Sequence, residues 1–297
     1  CFPTRRSSDL FVNGVPLDES PMKNHPITPM WSSHIAKLMQ EQGKYKAVII
    51  DEDVLSDIEL LNKTVSSYLD RDNFNKYYFV PDYFTSEHAK MIVEGFGGLS
   101  LLTGSSGLAF EIARQYSDAE YEQQETKASH ANYKGVIISG SCSTATKSQI
   151  QDYVAKGGSS IKIDPYKLLS DEESIEKIYL KIIQNQGENI LVYSCDDDHL
   201  SKDSKLNQSE LSNVLEETMG ELARKLISNG YKKIIVAGGE TSGAVIKALR
   251  YSSFAIGESV SPGVPVLIPE EDSTVRLVLK SGNFGDEDFF TKTLDLM

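Results

Sequence analysis

The sequence predicts an α/β protein of two domains, each with a mainly parallel β-sheet flanked by helices. Short runs rich in Val, Ile and Leu alternate with longer helical patterns along the 297-residue chain, as is typical of parallel α/β folds. These apolar runs are nearly continuous, which indicates strands buried on both faces. The length exceeds that of a usual single core and therefore favours two domains.

Seven segments have the composition of buried strands. In chain order they are KAVIID (46–51), YYFVPD (77–82), GLSLLTG (98–104), GVIISG (135–140), NILVYS (189–194), KKIIVAGG (232–239) and TVRLVLKSG (274–282). Helical patterns separate them, and the clearest are 53–69, 106–116 and 209–230. The longest helix is expected to begin at Ser209 as its N-cap and to end at Gly230 as its C′ residue.

A polar segment, SDAEYEQQETKASHANYKG (117–135), interrupts the alternation of strands and helices. We place the domain boundary within it, so that residues 11–125 belong to an N-terminal domain and residues 126–297 to a C-terminal domain. A long surface loop is the alternative interpretation of this segment.

Composition limits the classes of function. The formal net charge of −13 repels nucleic-acid phosphates and anionic membranes, and no apolar run approaches the roughly 18 residues of a membrane span. The three cysteines, Cys1, Cys142 and Cys195, form no even disulfide framework and no CxxC pair, which indicates a reducing, cytoplasmic setting. The sequence leaves open whether the chain forms a homo-oligomer.

The most informative segment is IIVAGGETSGAVIKAL (234–249), in which a buried strand runs through glycines into a helix. Such a turn offers free backbone N–H groups and the positive end of the helix dipole to an anion. Thr241 and Ser242 add hydroxyl groups. The segment has neither the Walker A ending nor GxGxxG spacing, so an ordinary turn capped by Thr241 or Ser242 is the alternative.

Two other loops repeat the design after a strand. IISGSCSTATKSQI (137–150) leads into a helix near Thr144, and LVLKSGNFGDEDFF (277–290) places Lys280 and Gly282 after a strand. Loops at the carboxyl ends of strands line the ligand crevice of an open α/β sheet. Lys280 is a candidate for local positive charge, or else an ordinary solvated lysine. Cys142 is a candidate nucleophile near a helix N-terminus, although a small buried turn residue is the favoured interpretation.

Other polar stretches carry weaker signals. ESPMKNHPITPM (19–30) presents Glu19 and His25 between prolines, either towards a substrate or as a stiffened connector. LLTGSSGLA (101–109) is a further glycine turn before a helix. The acidic run CDDDHL (195–200) suggests a metal site, but it lacks the residue spacing of an EF-hand calcium loop. We therefore interpret this run as a solvated loop.

Six of these motifs, found in the same order, resemble the four-carbon acid sugar kinases. They are FVNGVPLDESPMKNHPITPM, LLTGSSGLA, ISGSCSTATKSQI, VAGGETSGAV, SPGVP and LKSGNFGDEDFF. The resemblance implies a sugar-binding N-terminal domain, a nucleotide-binding C-terminal domain, and ATP with Mg²⁺ as cofactors. The implied reaction is phosphorylation of the 4-hydroxyl of a sugar acid. A 3-oxo-tetronate is the expected substrate, with D-threonate, D-erythronate or a non-catalytic nucleotide-binding role as alternatives.

The resemblance also implies individual site residues. Those expected to contact ATP are Ser141, Gly239, Glu240, Thr241, Ser242 and Gly282. Glu240 could hold Mg²⁺ or simply favour the helix N-terminus as an acidic first-turn residue. Glu19 and His25 are the candidates for contacting the sugar acid, and no catalytic residue is identified.

The chain departs from the family pattern at its beginning. Family members open with a strand and an Asp-Asp-x-Thr-Gly-Ala motif, which does not precede Phe11 here. We therefore expect an incomplete N-terminal domain, and a chain that is inactive or poorly soluble by itself. Residues 1–10, CFPTRRSSDL, lack the apolar region of a signal peptide. Apart from Cys1 they match one reading frame of a short-read sequencing adapter, so we expect them to take no part in the fold.

Overall fold

The computed structural model describes residues 4–6, 9–12, 14–24, 29–71, 76–116, 133–185, 187–194 and 205–297. The chain divides into two compact units, Cys1–Gln123 and Gln124–Met297. The predicted boundary between residues 125 and 126 stays a prediction, because it falls in a segment outside the described residues.

The first unit contains a three-stranded antiparallel sheet and a two-stranded parallel sheet. The antiparallel strands are β1 (Thr4–Arg6), β2 (Asp9–Val12) and β3 (Val15–Pro16), and the parallel strands are β4 (Lys46–Ile50) and β5 (Tyr77–Pro81). A 3₁₀ helix (Pro21–Asn24) follows β3. The α-helices are α1 (Ile35–Gln42), α2 (Glu52–Leu55), α3 (Ile58–Arg71), α4 (Ser86–Phe96) and α5 (Ser106–Tyr116).

The structure corrects two predictions for this unit. The segment 98–104 is not a strand, and its Leu99 and Leu101 are 56% and 84% exposed. The predicted helix 53–69 is divided into α2 and α3. The break occurs because the Asp57 carboxylate accepts hydrogen bonds from the N–H groups of Glu59 and Leu60, and so starts a new helix. The predicted helix 106–116 is confirmed as α5.

Strand β2 continues across the junction between Leu10 and Phe11. The N–H of Leu10 donates to the carbonyl of Ser33 at 2.9 Å, and Asp9 Oδ1 lies 3.3 Å from His34 Nδ1. Thr4–Arg6 form β1 and pair with the same strand. The expectation that residues 1–10 take no part in the fold therefore does not hold for Thr4–Arg6, Asp9 and Leu10. Their origin in a sequencing adapter stays a prediction.

The second unit is built on a seven-stranded sheet, and its mostly parallel pairing confirms the predicted α/β class. The strands are β6 (Lys134–Ser139), β7 (Ser159–Lys162), β8 (Asn189–Tyr193), β9 (Tyr231–Ala237), β10 (Phe254–Ser261), β11 (Val264–Pro269) and β12 (Arg276–Lys280). Their order across the sheet is β10-β11-β12-β9-β6-β8-β7. β10, β11 and β12 pair antiparallel with one another, and the other pairs are parallel.

Helices cover both faces of this sheet. They are α6 (Thr144–Ala155), α7 (Pro165–Leu169), α8 (Ile175–Ile183), α9 (Lys205–Ser228), α10 (Gly239–Leu249) and α11 (Phe289–Leu296). Val136 and Ile138 of β6 pack on the face covered by α7–α10, whereas Ile137 packs on the face covered by α6 and α11. Because successive strand residues point to opposite faces, two covered faces require the continuous apolar runs seen in the sequence.

Some elements of the second unit differ from the sequence-based expectation. Helix α9 begins at Lys205, so Ser209 lies inside it and is not its N-cap. Gly230 does take a left-handed conformation, with φ of +92°, just after the helix. Strands β7, β10 and β11 were not predicted. β7 has only four residues, β10 carries glycine and polar residues that break the apolar pattern, and β11 contains two prolines, which disfavour a strand.

Candidate functional site

The carboxyl ends of β6 and β9 form a topological switch point. The two strands are parallel neighbours in the middle of the sheet. The chain leaves β6 for α6 on one face, where Ile150 packs, and leaves β9 for α10 on the other face, where Val245 packs. Helices that diverge in this way leave a crevice at the strand ends, which is the usual ligand position in an open α/β sheet.

Backbone hydrogen bonds join the three loops at this crevice. The N–H groups of Gly140 and Ser141, after β6, donate to the carbonyl of Ala237 at 3.1 and 3.2 Å. The N–H of Gly238, after β9, donates to the carbonyl of Lys280 at 2.9 Å. The loops after β6, β9 and β12, which lie far apart in the sequence, therefore form one surface.

Close packing explains two of the glycines. A Cβ atom at Gly140 would overlap Thr241 Oγ1, and a Cβ atom at Gly282 would overlap the hydroxyl oxygens of Ser141 and Ser143. Three of the residues that the family resemblance implied for ATP, namely Ser141, Thr241 and Gly282, thus lie within this cluster of loops. Gly239, by contrast, faces open space.

The first turn of α10 has the properties of an anion site. Its N-cap, Gly238, has φ of +129° and no side chain with which to cap the helix. The first hydrogen bond within the helix joins the N–H of Ser242 to the carbonyl of Gly238. The N–H groups of Gly239, Glu240 and Thr241 come before this bond, so they have no acceptor within the helix. Gly239 and Glu240 are exposed. Free N–H groups and the helix dipole therefore face solvent at the crevice.

Thr241 and Ser242 lie inside the helix, so neither is its N-cap. Thr241 is buried, and its side chain fills the space beside Gly140. The hydroxyl oxygen of Ser242 is buried and has no hydrogen-bond partner within the described part of the chain. The alternative of an ordinary turn capped by one of these two hydroxyls is therefore wrong.

Helix α6 supplies the opposite wall. Ser143 caps it by accepting a hydrogen bond from the N–H of Thr146 at 3.2 Å. The hydroxyls of Ser143 and Thr146 also donate to the carbonyl of Gly282, at 2.6 and 2.8 Å. These bonds tie the loop after β12 to the N-terminus of α6.

One further residue of α6, Gln149, anchors the same loop. Gln149 is buried, and its Nε2, which carries two N–H donors, lies within hydrogen-bond distance of three successive carbonyl oxygens, those of Phe284, Gly285 and Asp286, at 3.0, 3.0 and 2.9 Å. The sequence contained no signal for this role, because a glutamine in a helix is ordinary.

Lys280 is buried beneath the loop, with only 1% of its surface exposed. Its Nζ lies 3.0 Å from Thr146 Oγ1 and 3.1 Å from the carbonyl oxygen of Gly282. Burial lowers the pKa of this ammonium group to about 8. The alternative of an ordinary solvated lysine is therefore wrong.

Both earlier interpretations of Cys142 also change. The residue is exposed, so it is not a small buried turn residue. It is disulfide-bonded, in contrast to the expectation of no disulfide framework, and so it has no free thiol to act as a nucleophile.

The first unit shows less of its predicted site. Glu19 is exposed in the turn after β3, whereas His25 and the run 195–200 lie outside the described residues.

Within the described residues no group of three or more His, Cys, Asp or Glu side chains could hold a metal ion. None of the helices in the described part of the chain is long and apolar enough to cross a membrane.

Two domain models match the chain. A sugar-binding N-terminal domain matches residues 4–112, and a nucleotide-binding C-terminal domain matches residues 136–290. The crevice described above lies within the second match.

Curated relatives are about one third identical to this chain over the aligned residues. A Brucella melitensis protein is 34% identical over 293 residues, which are 95% of this chain and 65% of the relative. A Haemophilus influenzae protein is 34% identical over 287 residues, which are 95% of this chain and 68% of the relative. Both relatives are named 3-oxo-tetronate kinase. The chain thus spans about two thirds of the length of these relatives.

Two solved structures have the same fold. A Haemophilus influenzae protein matches with a TM-score of 0.69 and 33% identity, over 99% of this chain and 71% of that one. A Salmonella typhimurium protein, provisionally described as a tRNA synthase, matches with a TM-score of 0.78 and 30% identity, over 98% of this chain and 69% of that one.

Proposed function

The chain belongs to the four-carbon acid sugar kinase family, and from that premise we propose that its second unit binds ATP. We further propose that the whole protein transfers the γ-phosphoryl group of ATP to the 4-hydroxyl of a 3-oxo-tetronate. The observation that carries the proposal is the meeting of three glycine- and serine-containing loops at the switch point beside the free N-terminus of α10.

The phosphates of ATP would lie over the first turn of α10. There the N–H groups of Gly239 and Glu240 face solvent, and they donate to phosphate oxygens without competing for helix bonds. Ser141 and Gly282 form the facing wall.

The residues present also fit Mg²⁺. This ion is commonly held by one or two carboxylates together with substrate phosphates and water, and Glu240 is an exposed acidic residue in the first turn of α10, over which the phosphates would lie. When bound, Mg²⁺ would neutralise charge on the transferred phosphoryl group. Glu240 would hold it directly or through water.

The sugar-acid side of the site rests on the family resemblance. Glu19 and His25 are the proposed contacts, and Glu19 is exposed and so accessible to a ligand. The reaction also needs a base to accept the proton of the 4-hydroxyl, and no residue is assigned to that role.

A calorimetric titration with a non-hydrolysable ATP analogue tests the nucleotide site. Gly239→Leu should abolish binding without unfolding the protein, because a Cβ atom there meets no protein atom within 4 Å, and the added side chain would stand at the N–H groups that the phosphates need. Gly98→Leu is the matched control, since Gly98 also faces open space, but in the first unit. Survival of full affinity in Gly239→Leu would show that the phosphate-loop assignment is wrong.

A substrate screen with coupled ADP detection tests the reaction. We expect ADP release with a 3-oxo-tetronate and little with D-threonate or D-erythronate. Preference for either of the latter acids would support the alternative kinase activity. Nucleotide binding without ADP release from any of the three acids would instead support the non-catalytic role for this chain.

A further inference from the structure

Lys280 is a buried cation without an anionic partner in the described part of the chain. None of the ion pairs found among those residues includes it. Asp288, in the loop that follows, pairs instead with Lys292 at 3.0 Å. The neighbours of Lys280 are two neutral oxygen atoms, Thr146 Oγ1 and the Gly282 carbonyl oxygen, and the ring of Phe289, whose centroid lies 5.9 Å from Lys280 Nζ. Ionised side chains are almost never buried in this way unless they are paired.

The Gly282 carbonyl does not need the ammonium group of Lys280. It already accepts hydrogen bonds from the hydroxyls of Ser143 and Thr146, at 2.6 and 2.8 Å. Each hydroxyl uses its single proton in these bonds, so Lys280 Nζ is the donor to Thr146 Oγ1 at 3.0 Å. One hydrogen bond to a neutral hydroxyl contributes about 0.5–1.5 kcal/mol, which is less than the several kcal/mol that burying an ion costs. Local stability therefore does not account for a lysine at this position.

The position of the charge does suggest a role. Lys280 Nζ contacts the carbonyl oxygen of Gly282 at 3.1 Å, and Gly282 packs against Ser141 in the nucleotide crevice. The ammonium group thus lies directly behind the loop. A charge in a low-dielectric interior acts more strongly over distance than one in water. A chain with a net charge of −13 also needs such a local charge to attract an anion.

The peptide after Gly282 presents a donor on the other side of the loop. Its carbonyl is turned inward by Lys280, Ser143 and Thr146. The peptide is trans, so the N–H of Asn283 points the opposite way. This N–H has no hydrogen-bond partner among the described residues, and Asn283 is exposed.

We propose that Lys280 is a positioning residue of the nucleotide site, whose buried charge attracts the ATP phosphates through the Gly282 loop and directs the Asn283 N–H towards them. The proposal rests on the proposed function of the second unit. It differs from a purely structural role in one respect: the contribution of Lys280 should increase with the number of phosphates on the ligand.

The test compares Lys280→Met with the unaltered chain in titrations of adenosine, AMP, ADP and ATP. We expect Lys280→Met to lower ATP affinity by about tenfold or more, AMP affinity less, and adenosine affinity not at all. Lys247→Met is the control, because it removes an exposed lysine near the other end of α10. Unchanged ATP affinity in folded Lys280→Met, or an equal loss for adenosine, would overturn the proposal.

The unaltered chain provides a second test that needs no variant. The other titratable groups on the elements packed around Lys280 are Lys147, Asp152 and Tyr153 on α6, Tyr231, Lys232 and Lys233 on β9, Arg276 on β12, Asp286, Glu287 and Asp288 on the loop, and Lys292 and Asp295 on α11. None has an ordinary pKa between pH 7 and about 9.5.

Lys280 loses its charge as pH rises through about 8. ATP affinity should therefore fall relative to adenosine affinity over this pH range. A constant ratio of the two affinities would contradict the role of Lys280. Failure of every ligand to bind the unaltered chain would instead refute the proposed function, and this role with it.

Discussion

The hydroxyl of Ser143 donates a 2.6 Å hydrogen bond to the carbonyl of Gly282, a residue 139 positions later in the chain. The same oxygen accepts a hydrogen bond from the N–H of Thr146 and so caps α6. One hydroxyl therefore stabilises a helix and holds a loop of the nucleotide crevice.

Replacing Ser143 should affect both stability and binding. We expect Ser143→Ala to lower the free energy of unfolding by about 1–2 kcal/mol, through loss of the cap and of the bond to Gly282. Urea unfolding followed by circular dichroism measures this. ATP affinity should also fall, because the loop loses a tether.

Ser174→Ala is the matched control for this change. Ser174 caps α8 by accepting from the N–H of Lys177, but it does not contact the crevice loops. Its loss should reduce stability by about 1 kcal/mol and leave ATP affinity unchanged. Equal effects of the two variants on binding would contradict the tethering role of Ser143.

Gln149 offers a test by an isosteric change. In Gln149→Glu a carboxylate oxygen would face the carbonyl oxygens of Phe284, Gly285 and Asp286. We expect a loss of about 2–3 kcal/mol in the free energy of unfolding, partly recovered at acidic pH, where a protonated carboxyl can donate. Gln151→Glu, on the exposed side of the same helix, should change it by less than about 0.5 kcal/mol. A pH-independent effect equal in both variants would argue against the three-carbonyl contact.

The burial of Lys280 makes stability depend on pH with a definite sign. Its pKa falls from 10.5 in the unfolded chain to about 8 in the folded protein. Below pH 8 both states are charged, and folding bears the full cost of burying that charge. Between about pH 8 and 10.5 the unfolded state binds more protons, so the contribution of Lys280 to stability rises with pH.

Lys280→Met should therefore be more stable than the unaltered chain at pH 7, by up to about 3 kcal/mol. The difference should shrink as pH approaches 10. Urea unfolding of both proteins at several pH values measures it, and the comparison cancels the effect of other titrating groups. A variant that is less stable at pH 7, with no dependence on pH, would show that the ammonium is needed for the fold.

The sequence by itself determined the α/β class and most of the buried strands. Strands covered on both faces carry continuous apolar runs, and such runs are visible locally, as in β6, β9 and β12. The glycine turns after these strands were equally visible. The segment 98–104 shows the limit of this signal. Its apolar run predicted a strand, but the segment forms none, because an apolar run becomes a strand only when a neighbouring strand pairs with it.

Only the tertiary structure decided how the site is assembled. The order β12-β9-β6 brings the Gly282 loop beside Ser143 and Gln149, and no local pattern encodes which strands become neighbours. Burial of Lys280 follows from the same order, since α6, α11 and the loop after β12 close over it. Sequence pattern records which faces of a segment are apolar, whereas the partners of a polar side chain depend on contacts between residues more than a hundred positions apart.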